Sequence, residues 1–355
     1  MLARATLTID VVKIEDNARR VCKALPDVDI VGVCKVTCGT PEVARAMLDG
    51  GVTALGESRL ENAARLREAG IEAPIWLLRA PTPALAEDAV RLVDVSAISE
   101  IAIAEALSEA AMRTGKRHGV LAMVDIGDRR EGMMPGELPA FLSAAEAMDG
   151  IDVIGIGASL TCYGAIVPDE ANLGMLGELA AAAEKQLGRP LVVSGGSSTS
   201  LDPVVHGLGP AALDNLRIGE AIVLGVDPAT RLPIPDLPLH DDALTLAAPV
   251  IECQRKPSLP EGTAAMDAFG TTPEFEDRGE RLRAICALGR QDARVEDLTP
   301  LDGRVEVLGA SSDHLVLDVD DLPQAPAIGE AVEFRPGYSA TLGLCTSPYV
   351  DKRFV

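Results

Sequence analysis

Residues 30–57 read IVGVCKVTCGTPEVARAMLDGGVTALGE. The stretch opens on a short β-branched run, IVGVC (30–34), and closes on another, TALGE (53–57). Between them, TPEVARAMLDGG repeats apolar residues at three and four and stops on glycine, as an amphipathic helix does. Strand, helix and strand make one β/α unit. The same alternation continues outward through IWLL (75–78), LVDVS (92–96), GVLAMVDIG (119–127), DVIGIGASL (152–160), LVVSGGS (191–197) and LRIGEAIVLG (216–225). Helical segments such as ISEIAIAEALSEAAMRTG and EANLGMLGELAAAAEKQLG lie between these runs. Ahead of them, ATLTIDVV reads as a first strand, followed by a helix from about Ile14 to Leu25. Eight apolar strands, each followed by a helix or loop, over roughly 200 residues predict an α/β fold, a (β/α)8 TIM barrel. The competing open, doubly wound sheet is weakened in its dinucleotide form, because no GxGxxG follows the first strand.

After Gly225 the texture changes. VDPATRLPIPDLPLHDD is proline-rich and reads as a domain boundary. Beyond it come LTLAAPVIECQ, RLRAICALG, GRVEVLGAS, HLVLDVD and AVEFRP, separated by Gly, Pro and Asp turns. These predict a smaller all-β C-terminal domain over 233–355, after a barrel over 1–232. The first strand, about 5–12, can pair with that β domain instead of the barrel.

Composition narrows the function classes. The chain has 355 residues, 47% of them hydrophobic, enough for two cores. No run of about 18 apolar residues occurs, so no membrane span is expected. The start, MLARATLTIDVV, is too short and polar for a signal peptide, and a cytoplasmic protein is the expectation. The net charge of -22 repels phosphate backbones and argues against nucleic acid as a partner. It suits solubility and mildly favours cationic substrates. The seven cysteines are odd in number and form no CxxC pair. Cys34 and Cys38 have ligand-like spacing without a second pair, so reduced thiols and no metal site are expected.

A barrel's chemistry sits at the C-terminal ends of its strands. Lys35 ends the IVGVC run, in a chain with seven lysines and twenty-five arginines. A lysine there puts its amine in the barrel mouth, where burial makes it a nucleophile toward aldehydes. It can also snorkel to solvent. Ser194 to Ser200 read SGGSSTS, a Gly/Ser turn where barrels commonly bind phosphate, after strands seven and eight. Gly219, in Arg217-Ile218-Gly219-Glu220, can offer a backbone N–H to the same anion. Arg217 points inward on that strand, and a buried arginine requires partners. Asp125 to Gly132 read DIGDRREG, in which an arginine can fork onto a carboxylate or form part of a solvated charge cluster.

IVGVCKVTCG, VDIGDRREGM, GASLTCYG, SGGSSTSL, NLRIGEAIVLG, DAFG and ASSDH, in that order, together resemble the alanine/ornithine racemase family of pyridoxal-phosphate enzymes, ornithine racemases most of all. The resemblance spans LTIDVV to SPYVDK. It implies pyridoxal 5'-phosphate as cofactor, with Lys35 as the Schiff-base lysine and the racemising base on one face. It implies Arg217 opposite the pyridine nitrogen. Ser198 and Thr199, with Gly219 and Glu220 as backbone donors, would hold the phosphate. It implies Arg130 near the cofactor oxygen and the substrate carboxylate; Cys162 is a further candidate for binding substrate. Tyr349, in TSPYVDK, lies near the family's phosphate-binding tyrosine. A homodimer follows by resemblance, each mouth closed by the partner's β domain.

One departure concerns the second proton carrier. Alanine racemases use a tyrosine in a YGDG-like segment, and the corresponding residues here are Met266-Asp267-Ala268-Phe269-Gly270. Asp267, Tyr163, Cys162 and His314 are the candidates, with Asp267 favoured for a role at the site. Asp267 can alternatively pair with the distal ammonium of a diamino acid or serve as a turn residue. The expected function is amino-acid racemisation, on ornithine first. The alternatives are a racemase for alanine or for a broader set of amino acids, and a non-catalytic carrier like the pyridoxal-phosphate homeostasis proteins, which LGESRLEN distantly resembles. Those carriers consist of a barrel alone, so the β domain argues against that reading.

Overall fold

The computed structural model describes residues 3–210 and 213–355. Two compact units emerge: Val11–Asp241, and the residues through Asp10 together with Asp242–Val355. The division falls at the end of the proline-rich stretch, at 241/242 rather than at 232/233. Residues 226–241 are tied to the first unit: His240 donates its N–H to Asn17 Oδ1 at 2.7 Å, and Asn17 Nδ2 donates to the carbonyls of Ile222 and His240, both at 2.9 Å.

The chain opens with β1 (Thr6–Ile9), then α1 (Val11–Ala24). The barrel unit continues with β2 (Asp29–Val33), α2 (Pro41–Asp49), β3 (Ala54–Glu57), α3 (Leu60–Glu68), β4 (Ile75–Leu77), α4 (Ala86–Leu92), β5 (Val95–Ile98) and α5 (Ile101–Thr114). It is completed by β6 (His118–Met123), α6 (Leu138–Glu146), β7 (Ile151–Gly157), α7 (Glu170–Leu187), β8 (Val192–Ser194), α8 (Leu201–Val205), β9 (Asn215–Ile218) and α9 (Glu220–Leu224). Strands β2 to β9 run parallel and close, with β9 pairing back onto β2. Val31, Ala54, Trp76, Val95, Ala97, Leu121 and Met123 form one buried cluster, with Leu78, Ile154 and Val192 packed on it. Residues from so many strands can touch only inside the barrel, so its interior is a packed core and not a pore. At the N-terminal end, His118 bonds Ser96 Oγ at 2.8 Å, and burial pushes its imidazole down to about 4. It is a neutral floor residue, away from the strand ends that carry chemistry.

Two runs differ from their sequence reading. LVDVS (92–96) begins on the last residue of α4, and the strand starts only at Val95. Ala86, Ala89 and Val90 keep the three-and-four spacing and hold that turn helical. LRIGEAIVLG (216–225) is a strand only to Ile218 and then turns into α9. Ala221 to Leu224 are buried on every side, so their unbroken hydrophobicity cannot distinguish helix from strand.

The second unit carries β10 (Leu244–Pro257), β11 (Glu280–Cys286), β12 (Leu298–Pro300), β13 (Glu306–Ala310), β14 (Leu315–Asp318), β15 (Ala331–Pro336), α10 (Tyr338–Thr346) and β16 (Asp351–Phe354). Strand order is β12-β15-β10-β11-β14-β13, and β1 joins this unit between β10 and β16. The unit is antiparallel apart from the β1–β16 pair, and α10 interrupts the expected all-β composition. Asp297 caps that helix, its carboxylate accepting from the N–H groups of Ser339 (2.7 Å) and Ala340 (3.1 Å).

Candidate active site

Lys35 stands two residues past the end of β2, partly buried on a single 3-10 turn (Lys35–Thr37) at the C-terminal mouth of the barrel. Cys34 before it is buried, and its N–H donates to Gly56 O at 3.1 Å. The Cys34 thiol donates to Glu57 Oε1 at 3.2 Å. Glu57 ends β3 with no exposed surface and also accepts from Asn62 Nδ2 (2.9 Å) and the Ser58 N–H (3.2 Å). Burial raises the Glu57 carboxyl above its usual range, against the opposing pull of these donors and of Lys35's charge. Burial, then Glu57's negative charge, pushes the Cys34 thiol far up, so it stays protonated.

Strand β9 lies beside β2, with Arg217 opposite Val31. Arg217 is buried. Its guanidinium donates to Ser194 Oγ, to Ala158 O at 2.6 Å and to Ser159 Oγ at 3.1 Å. Among the described residues, every oxygen that accepts from it is neutral. Burial therefore pulls its pKa down to about 10, which still leaves it charged at neutral pH. This is a fixed positive charge held without a bound carboxylate.

The loop after β8 folds Ser198–Ser200 into one buried turn. Ser198 Oγ accepts from the N–H groups of Gly219 (3.1 Å) and Ala221 (3.2 Å), and Ser197 Oγ bonds Thr199 Oγ1 at 3.2 Å. Gly219 is required here because a Cβ would stand 2.8 Å from Val33 O, on the strand that leads to Lys35. Hydroxyls and backbone amides converging at a helix start suit an anion. Glu220 opens α9, and its carboxylate turns to Arg231 at 2.7 Å.

A third loop closes on itself after β6. Val124 and Met133 bridge, Met133 N–H donates to Met123 O and Asp125 N–H to Met133 O, both at 2.9 Å. Gly132 permits this return, at φ +121 with a Cβ position only 2.4 Å from Asp125 N. The loop presents Arg130, which is ion-paired to Glu131 through two guanidinium nitrogens. Burial opposes the Arg130 charge, but the Glu131 bond, with the nearby Cys162, Glu131 and Asp128, outweighs it and raises its pKa. Asp128, 1% exposed, accepts from the N–H groups of Tyr163 and Gly164, both at 3.0 Å, and so pins the loop after β7. Cys162 and Tyr163 ride on that loop, both exposed, with Cys162 within charge reach of Arg130 and Arg217.

Lys35, Arg130, Cys162, Tyr163, Ser198, Thr199 and Gly219 thus lie on the strand-end loops of one barrel, with Arg217 on β9 and Glu220 at the start of α9. Asp267, His314 and Tyr349 belong to the other unit, and all three are exposed. Asp267 accepts from the N–H groups of Phe269 and Thr271, both at 2.9 Å, and from Thr271 Oγ1 at 2.8 Å, which makes it the organiser of its own turn. Glu57, Asn62, Ser194, Asp128 and Glu131 lie in quoted motifs, but their individual contacts were not visible in the sequence. TALGE offered the one visible signal: an acid at the end of an apolar strand.

A family model described as the alanine racemase N-terminal domain matches residues 9–227. The chain belongs to the alanine racemase family. It is 39% identical over 352 residues to a lysine racemase of Thermotoga maritima, covering 98% of this chain and 97% of the relative. It is 36% identical over 360 residues to an ornithine racemase of Acetoanaerobium sticklandii, covering 98% and 99%. An alanine racemase from a D-cycloserine-producing Streptomyces lavendulae superposes with a TM-score of 0.77 at 20% identity, over 100% of this chain and 98% of that one. The alanine racemase of Bartonella henselae, solved with covalently bound pyridoxal phosphate, gives 0.75 at 18% identity over the full length of both chains. Both structural likenesses establish the fold. The expected barrel followed by a smaller β domain is met, with α10 added to the expected all-β composition. No helix among the described residues is long and apolar enough to cross a membrane.

Proposed function

We propose that this protein is a pyridoxal-phosphate-dependent amino-acid racemase acting on a diamino acid, ornithine first. The observation that carries this reading is Arg217: a buried cation bound to neutral oxygens, on the strand beside the one that leads to Lys35. A group that presents an acceptor to Arg217, an aldehyde to Lys35 and an anion to the Ser198 turn fits this arrangement. Pyridoxal phosphate has all three. Lengthwise correspondence with a lysine and an ornithine racemase supports the reaction and the substrate class.

When bound, the cofactor supplies an electron sink for the charge left at Cα as the α-proton departs. The chain's own residues do the rest. Lys35 Nζ holds the cofactor at rest and moves a proton on one face of Cα. Ser198, Thr199 and the backbone N–H groups of Gly219 and Glu220 would hold the phosphate at the start of α9. Arg217 keeps an undissociated positive charge against the ring nitrogen. Arg130 orients the substrate carboxylate. The candidates for the proton carrier on the opposite face are Asp267, Tyr163, Cys162 and His314. Single variants of each, assayed for solvent-deuterium incorporation at Cα, identify it as the one whose loss stops inversion but leaves exchange on the Lys35 face.

We further infer a cytoplasmic homodimer in which the partner's β domain completes the mouth. Sedimentation at working concentration and cell fractionation check those two points. The decisive test of function is a panel of L-amino acids assayed for D-product. Ornithine or lysine should convert fastest, and no D-product from any of them over hours at high enzyme removes the racemase reading.

A further inference from the structure

Arg217, Arg130 and Lys35 are the cations that a substrate's distal ammonium would face at the strand ends of this barrel. A diamino acid carries one carboxylate and two ammonium groups at neutral pH, so these cations attract its carboxylate and repel its distal end. An acid must offset that repulsion if such a substrate is to be preferred. The carboxylates at the strand ends differ sharply in what they can still bind. Glu57 is sealed from solvent among Asn62, Ser58 and Cys34. Both oxygens of Asp128 are taken by backbone N–H groups. Asp125, 7% exposed, accepts from the N–H groups of Gly127 (2.8 Å) and Arg129 (3.3 Å) and pairs with the Arg129 side chain. Glu220 is turned to Arg231. Glu131 alone of these combines a side chain 35% exposed with a partner that is itself a candidate substrate ligand, Arg130. It also lies within charge reach of Arg217.

We propose that Glu131 is the specificity-determining residue that receives the distal ammonium of the substrate, in an exchange of ion pairs with Arg130. Without substrate, Arg130 and Glu131 neutralise each other. A diamino acid replaces that single pair with two, its α-carboxylate on Arg130 and its distal ammonium on Glu131. An amino acid with an apolar side chain takes Arg130 and strands Glu131 without a partner, which costs affinity. The rigid return of the loop at Gly132 keeps both residues at the mouth in the exchange. Asp267, the acid of the DAFG segment, is committed to its own turn and leaves this role to Glu131.

This inference rests on the diamino-acid reading of the function, and the experiment separates the two. The holoenzyme and its E131Q variant are assayed with ornithine and with norvaline, which matches the ornithine chain but lacks the distal ammonium. The wild type should prefer ornithine. In E131Q the ornithine/norvaline ratio of kcat/KM should fall by about tenfold to a hundredfold, through KM for ornithine. A purely positioning role for Glu131 toward Arg130 would lower both substrates together and leave the ratio unmoved, which overturns the proposal. A ratio that moves in D267N and not in E131Q also overturns it. E131D, which keeps the charge on a shorter arm, should shift preference from ornithine toward the longer lysine, and an unshifted preference counts against the assignment. A wild type without any preference for ornithine or lysine over norvaline removes the functional reading and this inference with it.

Discussion

Ser198 and Glu57 show how single buried side chains set the terms of this site. The Ser198 hydroxyl satisfies two backbone N–H groups, those of Gly219 and Ala221. Ser198→Ala strands both, at about 1–3 kcal/mol for each buried donor left unsatisfied. The apoprotein should melt several degrees lower, and saturating phosphate-bearing cofactor should recover part of the loss by supplying oxygens to the same amides. Paired melts with and without cofactor measure this, and an unchanged apoprotein melt would show the amides to be satisfied elsewhere. Glu57 gives a pH signature. Burial raises its folded pKa above the ordinary value, so the folded state holds the proton more tightly than the unfolded state. That contribution to stability is complete below the ordinary value of about 4.3 and is lost as pH climbs through the raised one. Glu57→Gln does not titrate. Its melting temperature should gain on the wild type as pH rises from about 4 to 7, and a gap that narrows over that range refutes the assignment.

At the level of elements, the strand-end loops are braced against one another, and the bracing was the part hidden from the sequence. Apolar runs and helical spacing made β2 to β9 legible because each strand buries most of its residues and each helix keeps one apolar face. The same logic failed at α9, where burial on all sides erased the period, and at LVDVS, where the end of a helix is as apolar as the strand after it. The site was legible where chemistry demands a rare residue at a strand end: Lys35, Arg217, the SGGSSTS turn. It was not legible where an ordinary acid gains its role from a distant loop. Asp128 lies 35 residues from Tyr163, and nothing in DIGDRREG announces that its carboxylate will hold two N–H groups of TCYG. Asp128→Asn keeps the size but replaces one accepting oxygen with a donor that faces an N–H. The loop over 159–169 should then be cut faster in limited proteolysis, and kcat/KM should fall about tenfold, the worth of one charge-assisted hydrogen bond. Unchanged cleavage would mean that the loop is held by other contacts.

For the molecule as a whole, the excess of acid decides how stability responds to salt. The chain carries 54 acidic and 32 basic side chains, and the arginines of the β unit are shared among several acids. Arg281 contacts Asp318 (2.8 Å), Asp320 (3.2 Å) and Asp321 (3.3 Å), while Arg278 reaches Glu306 (2.7 Å) and Asp318 (3.6 Å). Sharing of this kind stabilises carboxylates locally and leaves the surplus acids facing each other at longer range. Salt acts on the two populations unequally. The Debye length falls from about 30 Å at 0.01 M to about 3 Å at 1 M. Contact pairs near 3 Å are only partly screened at the higher value, and exposed pairs contribute about 0–1 kcal/mol each in any case. Repulsion between acids ten or more ångströms apart is almost extinguished. Salt should therefore raise the melting temperature at neutral pH by a few degrees between these limits, where a non-electrolyte of equal osmolality does not. The increment should shrink toward the isoelectric point near pH 4.6, where the surplus charge disappears. A melting temperature that falls with salt at neutral pH would place the balance with the short pairs and reverse this account of the charge.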